Sequence, residues 1–381
     1  MRGQGLASLH RRMPARDCSS GSLRNCYNQR RQLDYCEGQQ SLTKRELSIA
    51  FQTDKRAIDY IDLAKLVNQY AFDAVTVYCD APYQPSYGPL LLMAPHVSKA
   101  RLGPAGIPPS RMHPLDIAAQ TALLAELAAG GVYIGLVRGG WLAEHGIREL
   151  DPPITAIREA VDIIRLLLSG ESAGYSGRVY RIAEHVRAPY PLPARRIPLQ
   201  IGTWGKQLAA LAGEIADEVK IGGSANPDVI PVIADYIAVG EARGGRERGA
   251  VDLVIGAVSV VDENRDAARW IARKAVSLYM PVVSKLDPTL SIDPDLMSRL
   301  QSQVEAGDDE AAARLIPDDI LDRFIFAGDP ADIIEQCARL YDAGAQRVEL
   351  GTPHGVREAA TGIQLIGTKV IPALKPYLAP T

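Results

Sequence analysis

Cysteine is scarce in this sequence, with 5 residues among 381. Cys18, Cys26 and Cys36 lie near the N-terminus, whereas Cys79 and Cys337 are isolated in the rest of the chain. No CxxC pair and no cluster of cysteine with histidine occurs, so we predict no disulfide framework, no zinc site and no other metal. Scattered cysteines of this kind fit a reducing compartment, and we expect a cytoplasmic protein.

The chain also lacks a large net charge and a long apolar run. Lysine and arginine number 42 and aspartate and glutamate 45, which gives a net charge of -3. A balance this close to neutrality argues against a nucleic-acid partner. No run of roughly 18 apolar residues is present, so we predict no membrane span.

Residues 1–45 differ in composition from the rest of the chain. They are rich in arginine, serine and glutamine and poor in branched apolar residues. Such a segment cannot bury enough apolar surface to fold by itself, and it lacks the apolar core of a secretory signal. We predict a disordered basic extension over residues 1–45 or an over-called start codon, with an organellar transit peptide as the alternative, and a single domain over residues 46–381.

From residue 46 onward, short β-branched runs alternate with longer amphipathic runs. The short runs predict strands at 47–51, 74–78, 100–103, 132–137, 199–202, 218–221, 252–261 and 347–350. The amphipathic runs predict helices over 54–70 (with Asp54 as N-cap), 114–129, 153–169, 205–216, 227–240, 267–279 and 356–371. Strands that are separated by helices pair in parallel, so an α/β fold is expected.

These strand-helix units fit either a closed (β/α)8 TIM barrel or an open doubly wound sheet. No break in composition occurs within residues 46–376, and we therefore predict the barrel. Two insertions interrupt the pattern, at 170–193, with a β-hairpin over 174–180, and at 281–327. Long insertions on the βα side of a barrel cover its active site, so we expect both at the C-terminal face.

Glycine-rich loops follow several of the predicted strands. Residues 202–206 open a helix, whose N-terminal N–H groups favour an anion. Residues 222–224 and 351–355 can add further backbone donors. The pattern favours a phosphate site, although the same glycines also serve tight turns between strand and helix. No GxGxxG motif follows a strand, so a Rossmann cofactor site is not predicted.

Other candidates lie where predicted strands end. Residues 102–109, Leu-Gly-Pro-Ala-Gly-Ile-Pro-Pro, suit a backbone that approaches a planar ligand through a strained or cis peptide, or simply a stiff loop. Asp80 follows the second strand, where a carboxylate accepts hydrogen bonds from a ligand or caps a turn. His354, Glu144 and His145 are further candidates for proton handling. No Ser-His-Asp constellation, HExxH motif or P-loop is visible.

A set of longer segments carries a family resemblance through its order and spacing. The segments are 102–114 (LGPAGIPPSRMHP), 212–217 (AGEIAD), 326–330 (FAGDP), 350–355 (LGTPHG) and 365–367 (LIG). Together they resemble the luciferase-like flavin- and F420-dependent oxidoreductases, and within them the F420-dependent methylenetetrahydromethanopterin reductases. The resemblance implies a (β/α)8 barrel that binds coenzyme F420, or alternatively FMN, at the strand C-termini, and an assembly that is usually dimeric.

The resemblance also implies roles for individual residues. Asp80 matches the family's aspartate after strand two. A cis-peptide bulge that presses on the back of the deazaflavin ring falls within Ala105, Gly106 and Ile107. The loops that hold the ring and the tail of the cofactor match Gly139, Gly140, Thr203, Trp204, Gly205, Lys206, Gly222, Gly223 and Ser224.

Three positions depart from the family pattern. Ala50 stands where the reductases carry a glutamate in strand one. The reductases also carry an aspartate in the loop after strand four, where the nearest residue here is Gly140, and a histidine after the strand-two aspartate, where this chain has Ala81. The methanopterin substrate is therefore not carried over. Hydride transfer tolerates these losses, because the coenzyme carries the hydride and the protein positions it. A proton, where one is needed, comes from water or from one of the candidate acids Asp80, His354, Glu144 and His145.

The sequence thus predicts an F420-dependent oxidoreductase that moves a hydride to or from a small organic substrate, as a homodimer. An FMN-dependent monooxygenase of the same superfamily is the first alternative, and a non-catalytic flavin- or F420-binding protein is the second. A phosphate-binding lyase or isomerase would need a lysine or paired carboxylates at a strand end, and none is evident in the sequence.

Overall fold

The strands of the barrel consist almost entirely of buried residues, as expected for parallel strands covered on both faces. The computed structural model describes residues 45–378. Within that range the strands are β1 (Glu46–Phe51), β2 (Ala74–Val77), β3 (Arg101–Pro104), β4 (Ile134–Val137), β5 (Tyr175–Ser176), β6 (Arg181–Ile182), β7 (Leu199–Gly202), β8 (Glu218–Gly222), β9 (Asp252–Val261), β10 (Phe326–Gly328) and β11 (Arg347–His354).

The parallel strands close into a ring. Their order is β3-β2-β1-β11-β9-β8-β7-β4, and β10 pairs with β9 beside this path. Isolated parallel bridges join Leu102 to Val132 and Ile107 to Leu136, so that the β3 end of the order meets the β4 end. The (β/α)8 barrel predicted from the sequence is confirmed.

Helices connect the strands around the outside of the barrel. The α-helices between residues 45 and 378 are α1 (Ala57–Val67), α2 (Tyr87–Met93), α3 (Pro114–Leu127), α4 (Pro153–Leu168), α5 (Lys206–Ile215), α6 (Val229–Arg243), α7 (Arg265–Ser277), α8 (Met280–Val283), α9 (Pro294–Glu305), α10 (Asp309–Arg314), α11 (Asp318–Phe324), α12 (Pro330–Ala343), α13 (Ala359–Leu365), α14 (Ile371–Ala373) and α15 (Lys375–Leu378). Short 3-10 turns cover Ala94–His96 and Ala143–His145, and a π turn covers Ile366–Val370.

Alternate residues of each strand point into the barrel and fill it with layers of side chains. Near the N-terminal ends of the strands, Arg347 Nη2 lies 2.6 Å from Glu218 Oε2. One layer toward the C-terminal ends, Lys220 forms an ion pair with Glu349, and Glu349 also accepts a hydrogen bond of 2.5 Å from Thr76 Oγ1. A charge this deeply buried is tolerated because an opposite charge and hydrogen bonds satisfy it.

The start of the first helix differs from the sequence expectation. Helix α1 begins at Ala57 with Arg56 as N-cap, not at Asp54. The Asp59 carboxylate accepts hydrogen bonds from Arg56 N at 3.1 Å and from Arg56 Nε at 3.0 Å, and so closes the first turn. Asp54 instead pairs with Lys55 at 2.5 Å. The carboxylate that sets the helix start is therefore inside the helix.

The insertions also differ in detail from the expectation. The hairpin pairs Tyr175 with Ile182, so its turn spans Gly177–Tyr180 and its second strand lies beyond the expected range 174–180. The expectation did not include β10 and α12. Strand β10 pairs Phe326 with Ser259 at the end of β9, because β9 extends beyond the residues that β8 covers.

The predicted N-terminal extension, 1–45, lies outside the described residues except for Arg45. Over residues 45–378, no helix is long and apolar enough to cross a membrane. In the same range, no group of three or more His, Cys, Asp or Glu side chains could hold a metal ion.

Candidate functional site

The segment after β3 contains a cis peptide bond between Ala105 and Gly106, neither of which is proline. Ile107 N donates to Gly135 O at 2.8 Å and Val137 N donates to Ile107 O at 3.2 Å, so this segment is bonded to β4. A Cβ atom at position 106 would lie 2.8 Å from Val137 Cγ1, which is too close, and only glycine fits there. Ala105 and Gly106 remain partly exposed at the C-terminal face, while Ile107 is buried.

Asp80 lies at the same face, exposed, after β2. Its Oδ2 accepts a hydrogen bond of 3.1 Å from Gln52 Nε2. Gln52 is in turn held by Thr352, whose Oγ1 accepts from Gln52 N at 3.1 Å and donates to Ala50 O at 3.3 Å. The loops after β2, β1 and β11 therefore meet at Asp80. The sequence analysis missed Gln52, although its position directly after the first strand was a usable signal.

The loops after β7 and β8 also meet. Trp204 Nε1 donates a hydrogen bond of 3.1 Å to Gly222 O. Gly223 N donates to Gly256 O at 2.7 Å, which holds the second loop against β9. Thr203 Oγ1 accepts from Gly205 N at 2.9 Å, and α5 begins one residue later. The N-terminal N–H groups of α5 therefore begin two residues after Trp204 at the same loop pair, where an anion can be bound.

Lys206, the first residue of α5, is directed away from this loop pair. Its Nζ lies 5.8 Å from the centre of the Tyr236 ring of α6. It lines an outer groove of about 700 Å3 between α4, α5 and α6, together with Arg158 and Arg243. The structure therefore separates Lys206 from Thr203, Trp204 and Gly205, with which the sequence analysis grouped it.

The second insertion is fixed to the loop after β8 by a buried amide. Asn226 is fully buried, and its Nδ2 donates to Asp287 Oδ2 and to Thr289 Oγ1, each at 2.9 Å. Its Oδ1 accepts from Arg323 Nη1 at 3.0 Å. Ser224 Oγ accepts from Asn226 N at 3.1 Å. The insertion thus covers the C-terminal face on the side of Ser224.

The loop after β4 carries Gly139, Gly140 and the exposed Glu144. Within it, Trp141 adopts a left-handed backbone, with φ of 53°, and its side chain is 47% exposed. His145 Nδ1 lies 2.7 Å from Trp141 O and holds that conformation. A left-handed backbone at a bulky residue costs of order 1 kcal/mol or more and is concentrated at functional sites.

His354 lies inside the protein rather than in a loop. Strand β11 continues to His354, whose side chain is fully buried with its ring centre 5.1 Å from that of Phe51. Burial lowers the pKa of His354 to about 3, so the imidazole is neutral. Its Nε2 lies 3.3 Å from Leu350 O. This environment does not favour the proton donation that the sequence suggested for His354.

The same carboxyl ends carry a lysine and a tyrosine that the sequence analysis missed. Lys220 of β8 is 7% exposed, and its Nζ lies 5.1 Å from the centre of the Tyr78 ring. Tyr78 follows β2 and is half-buried. Lys220 lies inside the expected strand 218–221 and Tyr78 at the end of the expected strand 74–78, so neither stood out as a loop residue.

Comparison with known proteins agrees with this geometry. The chain is 29% identical to the 5,10-methylenetetrahydromethanopterin reductase of Archaeoglobus fulgidus, over 87% of this chain and all of that protein. It is 25% identical to an F420-dependent glucose-6-phosphate dehydrogenase of Microbacterium testaceum, over 84% of this chain and 94% of that protein. The structure of the coenzyme F420-dependent tetrahydromethanopterin reductase from Methanopyrus kandleri superposes with a TM-score of 0.79 at 25% identity, over 86% of this chain and 99% of that chain. The family model for luciferase-like monooxygenases matches residues 41–347, and the chain belongs to that family.

Proposed function

We propose that this protein is an F420-dependent oxidoreductase that transfers a hydride between the deazaflavin and a small organic substrate. The observation that carries the proposal is the set of hydrogen-bonded loops at the carboxyl ends of the strands, where Gln52 is bonded to Asp80 and Trp204 to Gly222. The similarity to F420-dependent enzymes over most of the chain supports the choice of cofactor.

The residues present fit such a ring. Ala105 and Gly106 offer backbone after β3, and Trp204 and Gly222 form the hydrogen-bonded loop pair after β7 and β8, which are two and three positions from β3 in the closed ring. Asp80, positioned by Gln52, accepts a hydrogen bond from a ring or tail donor. When bound, the deazaflavin supplies or accepts the hydride. The chain orients the ring and excludes water from one of its faces.

The cofactor phosphate fits the N-terminus of α5. Its first N–H groups form a set of backbone donors at one edge of the face, whereas the N–H groups of Gly223 and Ser224 are bonded to Gly256 O. Lys206 contributes charge from outside the face rather than a direct contact, since its ammonium group lies over Tyr236. We assign cofactor contacts to Thr203, Trp204, Gly205, Gly222, Gly223 and Ser224, and to Gly139 and Gly140 on the β4 side.

An FMN-dependent monooxygenase is the second candidate, favoured by the family's description. Fluorescence titration of the purified chain with F420 and with FMN separates the two. We expect F420 to bind and to be reduced or oxidised with one member of a substrate panel that includes methylenetetrahydromethanopterin and glucose 6-phosphate. Tight binding of FMN without binding of F420 would overturn the proposal.

We further propose a homodimer. Leu123 and Leu127 lie four residues apart on α3 and are 48% and 44% exposed. Residues at this spacing share one helix face, so they present a small apolar surface to solvent. Light scattering of the full chain measures the assembly, and a monomer at micromolar concentration contradicts this proposal.

We propose a cytoplasmic location because Cys79 and Cys337 are unpaired thiols. Cys79 and Cys337 are buried free thiols, and burial raises the pKa of Cys337 above its ordinary value. Unpaired thiols of this kind persist in a reducing compartment. Fractionation of cells that express the full chain tests the location.

A further inference from the structure

Tyr78 reaches across the barrel beneath the proposed ring site. Thr76 points into the barrel, since its Oγ1 bonds to the buried Glu349, and Tyr78 shares that face because it lies two residues further on. The Tyr78 ring centre is 5.1 Å from Nζ of Lys220. Strand β8 lies four positions from β2 in the ring order, which is the opposite wall of the barrel. The Tyr78 side chain therefore lies across the barrel interior at the carboxyl ends of the strands.

The neighbouring interior positions leave room for this side chain. A Cβ atom at Gly351 would clash with the Tyr78 hydroxyl oxygen, so glycine is required there. Its neighbour in the β1–β11 ladder is Ala50, which is also small. Tyr78 is only half-buried, so part of this residue is accessible to solvent after the end of β2.

The hydroxyl of Tyr78 makes no hydrogen bond within residues 45–378. Burial, with the negative charges of Glu349 and Asp80, raises the pKa of Tyr78 well above that of a free tyrosine. The group is therefore a phenol with a free O–H donor at neutral pH. The ionisable side chains around it are Lys220, Glu349, Asp80, Tyr279 and Tyr133.

We propose that the Tyr78 hydroxyl selects F420 over FMN by donating a hydrogen bond to the phenolic oxygen of the deazaflavin ring. The inference rests on the proposed function and deepens it. That oxygen ionises near neutral pH, and a hydrogen bond to an ionised acceptor is stronger than one between neutral groups. FMN carries methyl groups at the same ring edge and offers no acceptor there.

The first test compares the full-length wild type with Tyr78→Phe, which removes one oxygen atom and keeps the ring. Fluorescence titration measures the dissociation constants of F420 and FMN. We expect F420 to bind about tenfold or more weakly to the variant, because a hydrogen bond to a charged group is lost. We expect the FMN constant to change by less than about twofold, because no bond to FMN is lost. An equal effect on both ligands, or no effect on F420, overturns the inference.

The second test reads the ionisation of bound F420 from its visible absorbance as a function of pH. A donor hydroxyl at the phenolic oxygen stabilises the phenolate, so its pKa is lower on the wild type than on Tyr78→Phe. Identical pH titration curves of bound F420 on the wild type and on Tyr78→Phe overturn the inference and leave the proposed function unchanged. A wild-type chain that does not bind F420 overturns the proposed function itself.

Tyr87→Phe is the matched control. The Tyr87 hydroxyl is buried between α2 and α3, where it lies 2.7 Å from Thr121 Oγ1. The variant loses the same oxygen atom from a tyrosine on the outer layer of the barrel. We expect both dissociation constants and the F420 titration to match those of the wild type, and circular dichroism confirms that both variants are folded.

Discussion

Lys220 and Glu349 form an ion pair inside the barrel, with side chains that are 8% and 0% exposed. They belong to β8 and β11, which are separated in the sheet by β9. Glu349 also accepts hydrogen bonds from Thr76 Oγ1 at 2.5 Å and from Ser48 Oγ at 3.4 Å. The pair thus joins residues from four strands directly beneath the proposed cofactor site.

Lys220→Met is expected to destabilise the protein strongly. Removing one partner leaves the Glu349 carboxylate buried without its counter-charge, which costs about 3–5 kcal/mol. The double variant Lys220→Met/Glu349→Met is expected to recover much of that loss, because both charges are then absent. Urea unfolding at pH 7, followed by circular dichroism, measures both.

The exposed pair Lys369–Glu263, with side chains 50% and 64% exposed, provides the control. Lys369→Met is expected to cost less than about 1 kcal/mol, because solvent screens the pair. A Lys220→Met variant that is no less stable than Lys369→Met would contradict the buried ion pair.

Stability is expected to decrease between about pH 4 and pH 6 through Asp252. Burial, with the nearby charges of Glu218 and Glu46, raises the pKa of Asp252 to about 6. The folded state then holds the proton more tightly than the unfolded state, so this stabilisation is present at low pH and is lost as the pH rises through 6. Asp252→Asn keeps the uncharged form at every pH.

The variant Asp252→Asn is expected to be more stable than the wild type by about 1–2 kcal/mol at pH 7.5, a figure reduced for the partial exposure of Asp252. The difference is expected to vanish near pH 4. Thermal unfolding across this pH range checks it, and a difference that does not depend on pH refutes the assignment. Glu218 is expected to show the opposite pH dependence, with a contribution to stability that is lost as the pH falls. The charges of Arg347 and Arg101 outweigh burial and hold the pKa of Glu218 below its ordinary value.

Asp80→Ala is expected to weaken F420 binding about tenfold, the order of a charged hydrogen bond. Gln52→Leu removes the donor that lies 3.1 Å from Asp80 Oδ2, and we expect a smaller loss because the carboxylate remains. Fluorescence titration measures both variants. Asp235→Ala, which breaks an exposed pair with Arg248, is the control. Unchanged affinity in Asp80→Ala would remove Asp80 from the site.

Asn226→Ala is expected to release the second insertion from the barrel. The amide holds Asp287, Thr289 and Arg323 through hydrogen bonds of 2.9–3.0 Å. Without it, residues 281–293 are expected to exchange amide hydrogens at least about tenfold faster, since local opening follows the loss of local contacts. Hydrogen exchange measures this segment by segment. Asn264→Ala, an exposed helix cap, should leave the segment unchanged, and equal exchange in both variants would contradict the role of Asn226.

The strands could be predicted from the sequence because buried parallel strands are short β-branched runs, as at Val75–Val77 and Ile255 in β9. Strand β10 could not. It has three residues, Phe326–Gly328, and exists because β8 ends at Gly256 of β9 and leaves that edge of Ser259–Val261 for β10 to pair with. The resemblance located the cis peptide within 105–107, and the structure places it at Ala105–Gly106.

The site was predicted less completely than the fold. Asp80 and the glycine loops could be proposed as site residues because they directly follow strands. His354 was placed in a loop because strand β11 was expected to end at residue 350, whereas the ladder continues to His354 opposite Val260. Lys220 and Tyr78 were missed, since a single lysine or tyrosine inside a strand pattern does not show which wall it faces.

The order of apolar and amphipathic runs by itself determined the barrel, because each run's period fixes its type and the alternation fixes parallel pairing. Only the tertiary structure decided which side chains meet at the mouth. Tyr78 and Lys220 lie 142 positions apart in the chain and on opposite walls of the ring. Their contact exists because the barrel closes and brings opposite walls together, and no local pattern in the sequence predicts which residues of the two walls meet.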